Sequence, residues 1–136
     1  MLIREFISET NKNQMISILL KHYKVGSVKV KQKSMKDHAH FDVDRGTLLL
    51  STKYKTIKTS QVKQFLITII HEIRHAMDAK KYGWRKFKDM YEMEMNYQIS
   101  LDKDEYKDNK YEIEAEEFGQ QNYLKWLQKF KKQGLI

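Results

Sequence analysis

From about Thr59 to Tyr82 the chain carries no glycine or proline, and Val62, Phe65, Leu66, Ile69, Ile73, Ala76 and Met77 return every three or four positions. That spacing predicts one long helix with a broad apolar back. Thr59 or Ser60 is placed to cap it, and Gly83 to stop it. Its apolar back must be buried, so the other elements have to pack against it. At about 100° per residue, His71 and His75 fall about 40° apart on the opposite, polar face. Gln64, Thr68, Asp78 and Tyr82 lie near them.

The flanking pattern supplies the covering elements. Residues 2–23 repeat apolar positions at helical spacing, with a break expected near Thr10–Asn13. Residues 27–33 (SVKVKQK) alternate apolar and lysine, as a half-exposed strand would. HAHFDVD (38–44) and TLLLSTK (47–53) read as a hairpin turning through Asp44-Arg45-Gly46. After Gly83, residues 84–98 read as helix, with Trp84, Phe87, Tyr91 and Met95 three or four apart. Residues 100–110 are a polar, charged loop, and a last helix spans about 111–132. Strands followed by three helices give an α+β class. With 136 residues, 40% of them hydrophobic, and no proline-rich or repeated segment, residues 1–136 are expected to form a single domain.

Composition narrows the chemistry. The chain has no cysteine, so disulfides and thiolate metal sites are excluded, and any metal must be held by histidine and carboxylate. The N-terminus lacks a signal-peptide apolar core, and runs such as ISILL and FLITII are too short to span a bilayer. A cytoplasmic protein with no membrane partner is therefore expected. The net charge of +8 would attract nucleic acid or an acidic partner. However, 22 of the 26 basic residues are lysines scattered through every segment, with no arginine cluster to fork onto phosphates. Nucleic acid is accordingly the weaker expectation.

The stretch His71-Glu72-Ile73-Arg74-His75 is H-E-x-x-H on a helix. Its spacing lets two imidazoles share one ion, with Glu72 as general base toward water activated by the metal. A catalytic zinc takes three protein ligands and keeps one position open. No histidine follows His75, which rules out patterns completed by a downstream histidine and points to a downstream carboxylate. On the last helix Glu112 and Glu116 fall on the stripe of Gly119, Tyr123, Trp126, Leu127 and Phe130, whereas Glu114 and Glu117 point outward. Two inward carboxylates need partners. A metal for one and the free N–H of a ligand histidine for the other would supply them.

HEIRH followed by Glu112-x-x-Ala115-Glu116 resembles the gluzincin arrangement of thermolysin-type zinc peptidases. In compact form it is similar to small ImmA/IrrE-type and phage-encoded metallopeptidases. The resemblance covers about residues 40–120 in architecture, but only the two motifs in residues. It implies a zincin-like fold with a small sheet packed on the motif helix and a Zn2+ held by His71, His75 and Glu112. It also implies Glu72 as catalytic base and Glu116 as partner of a ligand histidine. Glutamate stands at 116 where the family carries aspartate or asparagine. The activity implied is zinc-dependent hydrolysis of a protein or peptide.

Other features bear on the same site. His38 and His40 share one strand face, and Tyr91, Tyr97, Tyr106 and Tyr111 are candidate donors to an oxyanion, a role that resembling peptidases fill with tyrosine or histidine. DKDEYKD (102–108) lacks the glycine of a calcium loop and reads as a loop beside the site. Two rival readings use the same scaffold. One is a DNA-associated regulator that clips a repressor or DNA-bound protein. The other is a zinc-folded interaction module with no catalysis.

Overall fold

A computed structural model describes residues 5–136. The elements in order are β1 (Phe6–Ile7), α1 (Glu9–His22), β2 (Lys29–Lys33), β3 (Ala39–Asp42), β4 (Thr47–Ser51), β5 (Ile57–Lys58), α2 (Val62–Tyr82), α3 (Trp84–Ser100) and α4 (Lys110–Lys132). The class among the described residues is α+β, with four helices and two small sheets.

The first helix begins later than its apolar spacing suggests. Ser8 takes the N-cap and accepts from the Asn11 N–H at 3.1 Å, while Phe6 and Ile7 are extended and pair antiparallel with Ile57 and Lys58. The expected break near Thr10–Asn13 is instead the first turn of α1. Residues 2–4 of the expected helix lie outside the described residues. Lys12, in that turn, is buried, and its ammonium donates to the carbonyls of Tyr54 and Lys55 at 2.9 and 3.3 Å. Burial pulls its pKa below the ordinary lysine value.

The larger sheet has the order β2-β4-β3, with β4 in the centre. β3 and β4 form the expected hairpin, from Ala39↔Leu50 to Asp42↔Thr47, with Gly46 at φ 59° in its turn. A residue with a Cβ is strained in that conformation, so glycine suits it. Leu48 and Leu50 point into the core. β2 pairs parallel to β4 but is exposed along its whole length, including Val30. Its lysines therefore decorate an edge strand, where they discourage pairing with other chains, rather than the outer half of a half-buried one.

α2 is the spine. Phe65, Leu66, Ile69, Ile70 and Ile73 are fully buried, and each such side chain contributes roughly 1.5–3 kcal/mol on leaving water. The helix is more enclosed than its polar front suggests, because Glu72, His75 and Asp78 are buried too. α4 provides the reason. It packs along α2 with Gly119 so close that an added Cβ would stand 2.8 Å from the Ile67 carbonyl oxygen. Such close approach covers the face that would otherwise meet water. Gly83, at φ 88°, separates α2 from α3. Phe87 then packs with Ala79 and Tyr111 in a small second cluster, joined by Val43, Met90 and Tyr91.

Candidate metal centre

α2 delivers His71, Glu72 and His75 from its middle, where the buried core holds the backbone rigid. α4 delivers Glu112 from its first turn. Two contacts set that turn. Asn109 caps it by accepting from the Tyr111 N–H at 2.9 Å, and Glu94 of α3 accepts from the Lys110 N–H at 2.7 Å. The N-terminal end of α4 thus points at the middle of α2, and its helix dipole favours a carboxylate there.

The three side chains converge. The Nε2 atoms of His71 and His75 lie 2.8 and 2.9 Å from the same Glu112 oxygen, Oε1. Their rings are 5.0 Å apart and nearly perpendicular. One ligand atom from each of His71, His75 and Glu112 falls within 4.8 Å of the others, a group able to hold a metal ion. Glu116 reaches the far side of His71, with Oε2 2.9 Å from Nδ1, although its side chain is half exposed rather than buried. Glu114 and Glu117 are exposed; Glu114 lies 3.9 Å from Arg74, whereas Glu117 lines the cavity beside His71.

Charge is concentrated at this point. Burial works against a proton on His71, but hydrogen bonds to Glu112 and Glu116 and the charge of Glu72 outweigh it, raising His71 to about 9. Burial pushes Glu112 up, yet the hydrogen bonds from His71 and His75 prevail and hold its carboxyl below the usual carboxylate range. Glu72 goes the other way. It is buried, and desolvation raises its pKa despite the two histidines nearby.

The donor set fits a metal. Two imidazole nitrogens and one carboxylate oxygen are the ligands of a three-protein-ligand zinc site. With both Nε2 atoms aimed at one carboxylate oxygen, an ion between them would meet all three ligands. Oε2 of Glu72 is buried with no hydrogen-bond partner, a costly state that a ligand at the open side of the centre would relieve. Nδ1 of His75 likewise has none.

Of the four tyrosines, two belong to the site. Tyr91 donates to Oε2 of Glu112. Tyr106, although as exposed as Tyr97, lines the cavities on both sides of Glu112. Burial and the Glu112 charge raise both phenols, so each stays a proton donor. Tyr111 packs in the Phe87 cluster, and Tyr97 is exposed. His40 lines the cavity with Glu72 and His75, whereas Nδ1 of His38 lies 2.9 Å from the Tyr54 hydroxyl. The loop carrying Tyr106 is held by its own acids: Oδ1 of Asp104 accepts from the Tyr106 and Lys107 N–H groups at 2.9 and 2.6 Å. Sequence reasoning missed Glu94, which anchors α4, because its partner is a backbone N–H sixteen positions away.

No helix among the described residues is long and apolar enough to cross a membrane. In comparisons with known proteins, no family model, curated protein or solved structure matches the chain.

Proposed function

We propose that the protein is a zincin-like, zinc-dependent peptidase of the gluzincin type. The observation that carries this reading is the convergence of both histidine Nε2 atoms on one oxygen of Glu112, beside a buried Glu72 whose second oxygen has no partner. His71, His75 and Glu112 would hold the zinc. When bound, zinc supplies a Lewis acid that acidifies water and polarises a carbonyl.

The chain's residues then divide the work. Glu72, with its pKa raised by burial, accepts a proton from the attacking water and hands it to the leaving amine. Glu116 accepts from Nδ1 of His71 and thereby turns Nε2 toward the centre. Tyr91 fixes the second oxygen of Glu112. Tyr106, protonated and standing between the two cavities, donates to the oxygen on which negative charge develops. A buried carboxylate without a partner also weighs against a purely structural metal site, which would be closed around its ion.

The test compares wild type, Glu72→Gln and Glu112→Ala for zinc content and for cleavage of a mixed fluorogenic peptide library. Wild type is expected to hold about one zinc per chain and to cleave. Glu72→Gln should keep the zinc while its rate falls by roughly 10²–10⁴. Glu112→Ala should lose most of the metal. A folded wild type that takes up no zinc, or a Glu72→Gln variant that cleaves as fast as wild type, would overturn the proposal.

A further inference from the structure

The cavity on the His75 side of the centre, about 240 Å3, combines apolar walls with carboxylates. It is lined by Glu72, His75 and Glu112, so its occupant stands next to the group Glu72 acts on. Phe41, Val43, Phe87 and Met95 give it apolar walls. Asp42, Asp44 and Glu92 also line it, and Lys88 is its one lysine. Beyond Glu72 and Glu112 of the centre, three carboxylates stand against one ammonium, so this lining is acidic on a chain whose formal net charge is +8.

We infer that this cavity is a subsite for a basic side chain, lysine or arginine, of the residue flanking the bond to be cleaved; the inference rests on the peptidase reading. Such a side chain has an aliphatic stem and a cationic tip, and it buries the first while keeping the second among polar groups. Apolar walls with carboxylates beside them match both parts. The protein already holds an ammonium there: Nζ of Lys88 donates to both oxygens of Asp44 at 3.0 and 3.2 Å. That pair leaves Asp42 and the exposed Glu92 to receive a second cation, Asp42 being only loosely engaged by Arg45 at 3.3 and 4.0 Å. The partnerless Oε2 of Glu72, buried in the same lining, marks the cavity as one that takes a ligand beside these acids. The cavity on the His71 side, about 530 Å3, also carries carboxylates, Glu116 and Glu117 beside Glu112, against Lys107, but Glu116 is already engaged by His71 and Gln120, and Ile113 is the aliphatic residue in its lining.

The test needs no turnover. Zinc-loaded protein is titrated with arginine hydroxamate and norleucine hydroxamate, whose common head group binds the metal and whose side chains differ in charge. The arginine compound is expected to bind roughly fivefold tighter at low ionic strength, with the gap narrowing as salt is added. Glu92→Gln and Asp42→Asn should each shrink that gap. Glu114→Gln, which removes a carboxylate that faces Arg74, should leave it. Equal affinity for the two compounds would overturn the subsite and leave the metal centre standing. A gap that Glu114→Gln closes as well as Glu92→Gln does would overturn it too, by assigning the preference to overall charge. Binding of neither compound would overturn the metal reading, and the subsite with it.

Discussion

On the proposed reading protons and metal would compete for His71, and the competition can be measured as stability. With no ion bound, His71 is raised from 6.5 to about 9 by its carboxylate partners. A group raised on folding stabilises the protein fully below its unfolded pKa, and that contribution disappears as pH climbs through the folded value. The window is therefore pH 6.5 to 9. At about 1.4 kcal/mol per pH unit, the rise is worth about 3 kcal/mol, and the His71 side chain is only 12% exposed, so screening by solvent is slight. Glu72, raised by burial, acts in the same direction, since it too disfavours the folded state as it ionises. Glu112 acts at the acid end: its depressed pKa stabilises above the ordinary glutamate value and is lost as pH falls. The assay is urea unfolding of chelator-treated protein between pH 6 and 9.5, repeated with zinc. Metal-free protein should lose about 3 kcal/mol across the window. The zinc-loaded protein should not, because His71 then binds metal rather than a proton, and its apparent zinc affinity should rise about tenfold per pH unit up to pH 9. Metal-free stability that stays flat from pH 6.5 to 9 would refute the charged His71–Glu112 arrangement.

Gly119→Ala places a Cβ 2.8 Å from the Ile67 carbonyl oxygen, so α4 must move away from α2. The overpacking of about 1–3 kcal/mol should outweigh the roughly 1 kcal/mol that alanine gains in helix propensity, and zinc affinity should fall with it; thermal unfolding and zinc titration check both. Glu116→Ala removes the acceptor at Nδ1 of His71 and should weaken zinc binding about tenfold, whereas Glu116→Gln should recover part of that loss. Lys12→Met leaves the Tyr54 and Lys55 carbonyls without their ammonium donor and should destabilise by about 1–3 kcal/mol in urea, without changing zinc affinity.

Local periodicity carried much of the architecture. The α2 repeat, the stop at Gly83, the β3–β4 hairpin and the span of α4 follow from near-neighbour rules of spacing and turn chemistry, whereas the expected cap at Thr59 or Ser60 gives way to a 3-10 turn over Thr59–Gln61, with Gln61 at the N-cap of α2. The start of α1 did not, because Phe6 and Ile7 fit a helical stripe but pair with a strand some fifty residues downstream. The burial of β2 was misread for a related reason. Alternation reports which residues could share a face, whereas exposure depends on whether anything packs there, and among the described residues nothing covers this edge.

The candidate site divides along the same line. His71, Glu72 and His75 lie within five residues of one helix, so their shared face and their chemistry were legible from helical geometry alone. Glu112 and Glu116 could be placed on the inner stripe of α4, but which histidine nitrogen each meets, and how deeply each is buried, depends on how far α4 slides along α2. Gly119 against Ile67 and Glu94 against the Lys110 N–H set that position, and both are contacts between elements distant in sequence. The two tyrosines at the centre and the acidic wall opposite His75 have the same origin. They come from α3, β3 and the turn after it, and the 101–109 loop, which only packing brings to one place. Sequence determines what each helix and strand can present. Tertiary structure decides which of those faces meet, because that choice is made by excluded volume and burial among residues with no local correlation.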